Sequence, residues 1–448
     1  MGSSWLLGGP RVGPRVAAHQ VTTRNLGAAY PLVAESGLGH RGVLVGHDLL
    51  GGSFVYDPFE LYAQNVVSNP NMVVFGQIGR GKSAFVKTYL WRQAVFGRRA
   101  WVVDPKGEYG SLAAAWGVTP ISLRPGGSVR LNPLDPGPAA ESLPSAASPR
   151  GSATEGSAKS RPSNGADGRQ VELLASLAAT CLGRPLFPRE RVAVDLALVA
   201  VGRTRSVATL PAVVEAMLEP TAEAAATIRT QRATLLEDGR DVALELRRLV
   251  HGDLRGMFDG TTTPGLDLSG PLVVLDLSAL YNSAALGVLM ACATAWLQAH
   301  LARAAGGSSS GHVLVVVDEA WAVLANLGVA RWLQASWKLS RAYGVANVAV
   351  LHRLSDLQAV GSAGSEQVGL AKGLLADSET RVVYAQPPGE LANASELLSL
   401  SPTEAELLPQ LRRGVALWKV GSRAFLVQHL LSRWERDLVD TDAAMGTG

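Results

Sequence analysis

The chain has 448 residues, of which 47% are hydrophobic and 18% charged, and its formal net charge is +3. That length and balance leave room for two or more folded domains and exclude a largely disordered chain, and the near-neutral charge excludes a global basic field for nucleic acid. Two cysteines, Cys181 and Cys292, provide neither a disulfide framework nor a paired-cysteine metal site, which fits a reducing cytoplasm.

Residues 1–56 read as an N-terminal segment. Its start is Gly-rich and lacks the basic-then-apolar pattern of a secretory signal. Gly42–Gly46 and Ser53–Asp57 then predict two short strands around a Gly51-Gly52 turn, a hairpin leading into the main domain. Residues 57–135 read as the first part of an α/β core. Met72–Phe75 is an apolar strand ending at Gly76, a helix runs from Lys82 to about Phe96, and Arg99–Asp104 is a second strand.

Residues 136–170 are mostly Pro, Gly, Ser and Ala, with Leu143 the single large apolar residue, so a disordered linker is expected. Residues 171–265 predict an all-helical insertion rich in Ala, Leu and Arg. Its arginines, Arg184, Arg189, Arg191, Arg203, Arg205, Arg229, Arg232, Arg240, Arg247, Arg248 and Arg255, are interleaved with acids. That pattern predicts a solvated helical surface with local ion pairs rather than the clustered cations of a DNA-contacting face.

Residues 266–448 read as the second part of the core. Strands are expected at Leu272–Leu277, Val313–Asp318, Ala346–His352, Arg381–Gln386, Val415–Val420 and Arg423–His429, with helices between most of them. The alternation predicts an α/β fold with a mainly parallel sheet and helices on both faces, and an antiparallel hairpin of the last two strands at one edge. Ala284–Ala302 is an apolar helix interrupted by Gln298 and His300. It falls short of the roughly 20 clean apolar residues of a membrane span and reads as a core helix. No transmembrane segment is expected, and any membrane association would be peripheral or through a partner. Trp321, Trp332 and Trp337 fall on helical stretches and read as core or subunit-interface packing.

Gly76-Gln77-Ile78-Gly79-Arg80-Gly81-Lys82-Ser83 is a complete G-x-x-x-x-G-K-S loop between a strand and a helix, and Ala84 continues into that helix. Glycines let backbone N–H groups close on phosphate oxygens, and the helix N-terminus adds its dipole. Lys82 is expected on the β- and γ-phosphates of ATP, and the Ser83 hydroxyl on Mg2+. Val313–Val317 ends in Asp318-Glu319. Asp318 is expected to hold the magnesium through water and Glu319 to polarise the attacking water. A third charged strand end, Asp104-Pro105-Lys106-Gly107-Glu108-Tyr109, suits an active-site rim as well as an ordinary loop.

The DPKGEY stretch, the phosphate loop and VVVDEAW together resemble the energising ATPases of type IV secretion and conjugation, in the FtsK–HerA superfamily of P-loop motors. Arg130–Asp135 (RLNPLD), Gly256–Thr262 (GMFDGTT), Val273–Leu280 and Ser340–Leu357 also look like that family, so the resemblance spans roughly 41–135 and 169–445. It implies a RecA-like P-loop NTPase core with the helical domain inserted after the second strand. It also implies a homo-hexamer with ATP sites at subunit interfaces and an arginine reaching the neighbour's γ-phosphate. Arg341, in the helix-end pattern S-R-A-Y-G, best matches that arginine, with the helix dipole as its other reading; Arg381 is the second choice. His352 stands where the superfamily usually has glutamine. It reads either as a hydrogen-bonding partner of the γ-phosphate or water, or as a satisfied strand-end histidine.

The implied function is an ATP-hydrolysing motor of a conjugation or type IV secretion-like apparatus, cytoplasmic and peripheral at the inner face of the membrane, with channel proteins as partners. About forty residues precede the hairpin, fewer than the family's usual N-terminal domain, so docking is expected through other surfaces or a separate polypeptide. A DNA-pumping translocase acting directly on DNA and a nucleotide-gated scaffold with negligible hydrolysis are the alternative readings.

Overall fold

The computed structural model describes residues 37–135, 168–268, 270–281, 283, 285–305, 311–324, 330, 334, 337–338, 344–352, 369, 372–375 and 377–439. Of the linker expected at 136–170, residues 136–167 lie outside the described residues, and 168–170 already belong to a helix. The strands are β1 (Val43–Asp48), β2 (Ser53–Tyr56), β3 (Met72–Phe75), β4 (Arg99–Asp104), β5 (Ile121–Ser122), β6 (Leu272–Asp276), β7 (Val313–Val317), β8 (Val345–Leu351), β9 (Thr380–Val383), β10 (Val415–Val420) and β11 (Arg423–His429). The chain divides into two compact units, residues 1–96, 352–354 and 378–448, and residues 97–351 and 355–377.

In the first unit the strand order is β2-β1-β11-β10-β9-β3, antiparallel except for the last pair, in which β9 runs parallel to β3. The expected placing of the last two strands at an edge is therefore corrected. β10 and β11 are flanked on both sides, and β2 of the N-terminal hairpin is the edge. The burial explains this: β10 (VALWKV) is apolar almost throughout, as an interior strand needs, whereas β1 and β2 alternate buried and exposed positions.

The hairpin is thus built into this unit rather than leading up to it. Helix α1 (Pro58–Ala63) follows it, capped by Asp57, and α2 (Lys82–Gln93) follows β3. The indole of Trp418 on β10 gathers Phe54, Tyr56 and Phe85, with ring centroids 5.0, 5.2 and 5.2 Å away. Each such aromatic pair contributes about 0.5–1.5 kcal/mol beyond its buried area. The last turn of α2 is clamped by Arg92, whose guanidinium takes both carboxylate oxygens of Glu435 at 2.6 and 2.7 Å and the carbonyls of Leu44 and Leu430.

The second unit has a five-stranded sheet, β8-β7-β4-β6-β5, parallel throughout. Its strands are near-continuous apolar runs, as parallel sheets buried on both faces require. β5 was not foreseen, because two residues carry no period. It moves the helical insertion to a position after β5 rather than directly after β4.

The insertion comprises α4 (Gly168–Leu182), α5 (Pro188–Thr204), α6 (Leu210–Leu218), α7 (Ala222–Thr227) and α8 (Arg232–Arg248), α3 (Gly110–Ala115) lying before it. RLNPLD and GMFDGTT, which carried no chemistry in the sequence, meet at its neck. Leu131 N donates to the Met257 carbonyl and Asn132 N to Thr262 Oγ1, while Thr262 Oγ1 donates to Asp135 at 2.6 Å. Seven of the insertion's arginines are paired locally, Arg184 with Glu190, Arg189 with Asp238, Arg191 with Glu172, Arg203 with Glu223, Arg205 with Glu215, Arg240 with Glu237 and Arg248 with Glu245, while Arg229, Arg232, Arg247 and Arg255 are exposed. Helix α9 (Leu286–Ala305) is buried along Leu289, Met290, Cys292, Trp296 and Leu297, a core helix as expected. Among the described residues no helix is long and apolar enough to cross a membrane.

Candidate functional site

The phosphate loop lies wholly in the first unit. β3 delivers the chain at Gly76, and α2 begins at Lys82. A Cβ at Gly76 would stand 2.4 Å from Tyr384 Cβ, so only glycine lets β3 turn under that ring. Gly81, the residue before the helix, has φ +112°, a left-handed conformation that favours glycine.

With Gly81 at that position, α2 opens with no side-chain cap. Its first backbone N–H groups, which have no intrahelical partner, face the loop, as in anion-binding helix starts. Lys82 is buried, and its Nζ donates to the Gly76 and Gln77 carbonyls at 2.5 and 3.1 Å. Ser83 and Ala84 are half-buried, and Ile78 and Gly79 are exposed at the crest. Arg80 N donates to Gln77 O, and Arg80 O accepts from Gly414 N at 2.9 Å, which ties the loop to the turn before β10. Neither Tyr384 nor Gly414 was singled out from the sequence, because packing against a loop leaves no local pattern.

The acid pair lies in the second unit at the carboxyl end of β7. Asp318 N donates to Val103 O, and Asp318 Oδ1 accepts from Glu319 N at 2.9 Å. Asp318 and Glu319 are both buried, and Glu319 has φ +51°, a left-handed conformation uncommon outside glycine. Such a backbone costs about 1–3 kcal/mol and turns the Glu319 side chain out of the strand's alternation. Its carboxylate is held by an ion pair with Lys106 and by the indole N–H of Trp321.

DPKGEY is accordingly more than a charged rim. Asp104 Oδ1 accepts from the backbone N–H groups of Lys106, Gly107 and Glu108, and Oδ2 from Tyr109 at 2.9 Å. Asp104 therefore shapes the turn, and the turn aims Lys106 at Glu319. Sequence reading placed these charges at one strand end. It missed the division of labour between them, which depends on β4 and β7 being parallel neighbours.

Electrostatics in this unit are dominated by burial, with neighbouring acids adding. Burial, with the charges of Glu319 and Asp104 adding, pushes the Asp318 carboxyl up to about 7. Burial also raises Asp104, against the backbone hydrogen bonds it accepts. Tyr109 is fully buried beside Asp318, and both effects push its phenol well up. Burial pulls Lys106 down, but the hydrogen bond and charge of Glu319 outweigh it and hold the ammonium above its ordinary value.

A cation beside Asp318 would relieve this repulsion. Among the described residues no three His, Cys, Asp or Glu side chains converge as an all-protein metal cage. A carboxylate at the end of β7 suits Mg2+, which takes few protein oxygens and completes its shell with phosphates and water.

The remaining expected residues stand differently. His352 directly follows β8, is half-buried and groups with the phosphate-loop unit. Arg341 and Trp332 lie outside the described residues. Arg381 is half-buried and donates to Leu398 O at 3.3 Å, and burial pulls its pKa down. It pairs in register with Val73, three rungs or roughly 10 Å before the loop at about 3.3 Å per residue. Trp337 is a core side chain, as expected.

No protein-family model and no curated protein matches the sequence. Among solved structures, the chain is similar to VirB4 of Thermoanaerobacter pseudethanolicus, with a TM-score of 0.67 at 20% identity over 90% of this chain and 100% of that one. It is also similar to the bacterial conjugative coupling protein TrwBΔN70 in its unbound form, with a TM-score of 0.50 at 16% identity over 81% and 85% of the two chains. A third structure, plasmid coupling protein TrwB in complex with the non-hydrolysable GTP analogue GDPNP, gives 0.50 at 16% over 81% and 86%. These likenesses establish the fold as a RecA-like α/β P-loop core carrying a helical insertion.

Proposed function

We propose that this chain is an ATP-hydrolysing motor of a conjugation or type IV secretion-like apparatus, using ATP and Mg2+ to drive substrate transfer or channel assembly. The observation that carries the reading is the phosphate loop: an uncapped helix start behind glycines, with a buried lysine seated on the loop's own carbonyls. It occurs in a chain whose fold is similar to the solved VirB4 structure over the whole of that structure's chain.

On this reading, the amides of 76–84 and the Lys82 ammonium bind the β- and γ-phosphates. Ser83 and Asp318 hold the metal, which when bound neutralises phosphate charge. Glu319 accepts the proton of the attacking water, with Lys106 fixing its carboxylate until nucleotide arrives. His352 hydrogen-bonds the γ-phosphate or that water. Arg341 reaches the neighbouring subunit's γ-phosphate in a homo-hexamer, where a guanidinium offsets transition-state charge. Channel proteins at the inner face of the membrane are the partners, and association there is peripheral. Local pairing of seven of the insertion's arginines lowers the uncompensated charge that a DNA-gripping face would need.

The test is steady-state ATP turnover by wild type, Lys82→Ala and Glu319→Gln, with sizing in the presence of a non-hydrolysable ATP analogue. Wild type should turn over and assemble on nucleotide, Lys82→Ala should lose binding, and Glu319→Gln should retain ATP without cleaving it. Full turnover by either variant refutes the assigned roles. Equal, near-background rates for wild type and Glu319→Gln favour a nucleotide-gated scaffold. DNA-stimulated turnover favours the translocase.

A further inference from the structure

Gln386 is a buried polar residue beside the phosphate loop that none of the roles above uses. The parallel ladder of β3 and β9 pairs Met72 with Thr380 through Phe75 with Val383. Two further main-chain bonds carry it into the loop, Tyr384 N to Phe75 O at 2.8 Å and Gln77 N to Ala385 O at 3.3 Å. Continued by one rung, that register sets Gln386 level with Ile78, whose side chain is 78% exposed at the loop's crest.

Gln386 itself is 1% exposed, and neither Oε1 nor Nε2 has a hydrogen-bond partner among the described residues. Burying an amide without partners costs about 1–3 kcal/mol, so such groups in folded proteins call for an explanation. The surroundings supply one. Two residues before Gln386, Tyr384 supports Gly76 and Gly81. One rung below it, Gln77 O is a seat of the Lys82 ammonium. Phosphates that draw Lys82 off Gly76 and Gln77 would rearrange the residues level with Gln386, whose amide is poised to donate.

We propose that Gln386 contacts the nucleotide, its Nε2 donating to a phosphate oxygen of the nucleoside triphosphate held by the loop. The inference rests on the phosphate-loop reading above, and it places a second hydrogen-bonding residue outside the G-x-x-x-x-G-K-S stretch. An amide here also accounts for a cost that an apolar residue would avoid.

The test compares wild type, Lys82→Ala, Gln386→Leu and Gln386→Glu by calorimetric titration with a non-hydrolysable ATP analogue, and by thermal melting without nucleotide. Gln386→Leu should bind at least fivefold more weakly, yet melt at the same temperature as wild type or a few degrees higher, because it removes an unpaired buried amide. Gln386→Glu should bind more weakly still, since its carboxylate repels phosphate. Wild-type affinity in Gln386→Leu or Gln386→Glu, with Lys82→Ala deficient, overturns this inference and leaves the phosphate site standing. A Gln386→Leu protein that melts well below wild type or fails to fold overturns it too, for the amide then serves the fold. Absence of binding by wild type, or binding by Lys82→Ala equal to wild type, overturns both this inference and the phosphate-site reading.

Discussion

Asp318 makes the stability of the nucleotide-free protein pH-dependent in a direction opposite to most carboxylates. Its carboxyl is raised from 3.8 to about 7 by burial, with Glu319 and Asp104 adding. Between those values the folded chain holds a proton that the unfolded chain has released, so stability falls as pH rises through the window. At about 1.36 kcal/mol per pH step this gives roughly 4 kcal/mol in all, more than half of it between pH 5 and pH 8. His429 works the other way. Burial, with Arg92 adding, lowers its ring from 6.5 to about 4, so the folded state excludes a proton that the unfolded state binds below 6.5. That contribution rises by about 2 kcal/mol over the same interval and masks the Asp318 effect in wild type. The informative measurement is therefore the difference between wild type and Asp318→Asn in urea unfolding at pH 5, 6, 7 and 8, without nucleotide or magnesium. Asparagine cannot titrate, so the variant should gain about 2–3 kcal/mol on wild type between pH 5 and pH 8. A constant difference across that range would refute the proton assigned to Asp318.

Lys106→Met should destabilise the protein by about 2–4 kcal/mol at pH 8, because it leaves Glu319, only 1% exposed, as an uncompensated buried charge. Adding Glu319→Gln should recover most of the loss in a double-mutant cycle, and a single-variant change under 0.5 kcal/mol would show that water replaces the ammonium. Gly76→Ala should abolish ATP-analogue binding in a titration, because its methyl group would meet Tyr384 at 2.4 Å and force the loop away from β9. Retained affinity there would mean the loop binds phosphate in some other conformation.

The strands and the two chemical segments were legible because each rests on a local signal. Apolar runs of four to seven residues bounded by Gly or charge gave nearly every strand within a residue or two, and the phosphate loop is a contiguous spacing. What was missed depends on pairing between segments far apart in sequence. The antiparallel joining of β1 to β11, with Gly46 opposite His429, turns the expected edge hairpin β10–β11 into the interior of its sheet. Nothing within residues 415–429 encodes that partner except the near-absence of a polar face on β10. The contact of Lys106 with Glu319 likewise crosses more than two hundred residues and follows from the pairing of Val103 with Val317. β5 has two residues and no period, and Tyr384 declares itself only through the space it takes beneath Gly76.

Each unit buries charged groups of its own. In the first unit the Lys82 ammonium has left water and is solvated by two loop carbonyls, whose dipoles compensate a cation less well than a phosphate does. In the second, Asp104, Asp318 and Glu319 are all buried, Lys106 pairs with Glu319, and burial, with the charges of Glu319 and Asp104 adding, raises the Asp318 carboxyl. Under the proposed function, phosphate oxygens would meet the Lys82 ammonium and a divalent cation would meet the Asp318 carboxyl. Neither unit needs to be built for high stability alone. Strain held at Glu319 and the cost of burying Asp318 are offset by the large apolar strands behind them, and on the proposed function nucleotide would relieve both. Under the proposed function, that relief is the free energy that couples nucleotide arrival to rearrangement. Loss of the γ-phosphate after hydrolysis would restore the crowded, self-paired arrangement in which Lys106 again holds Glu319.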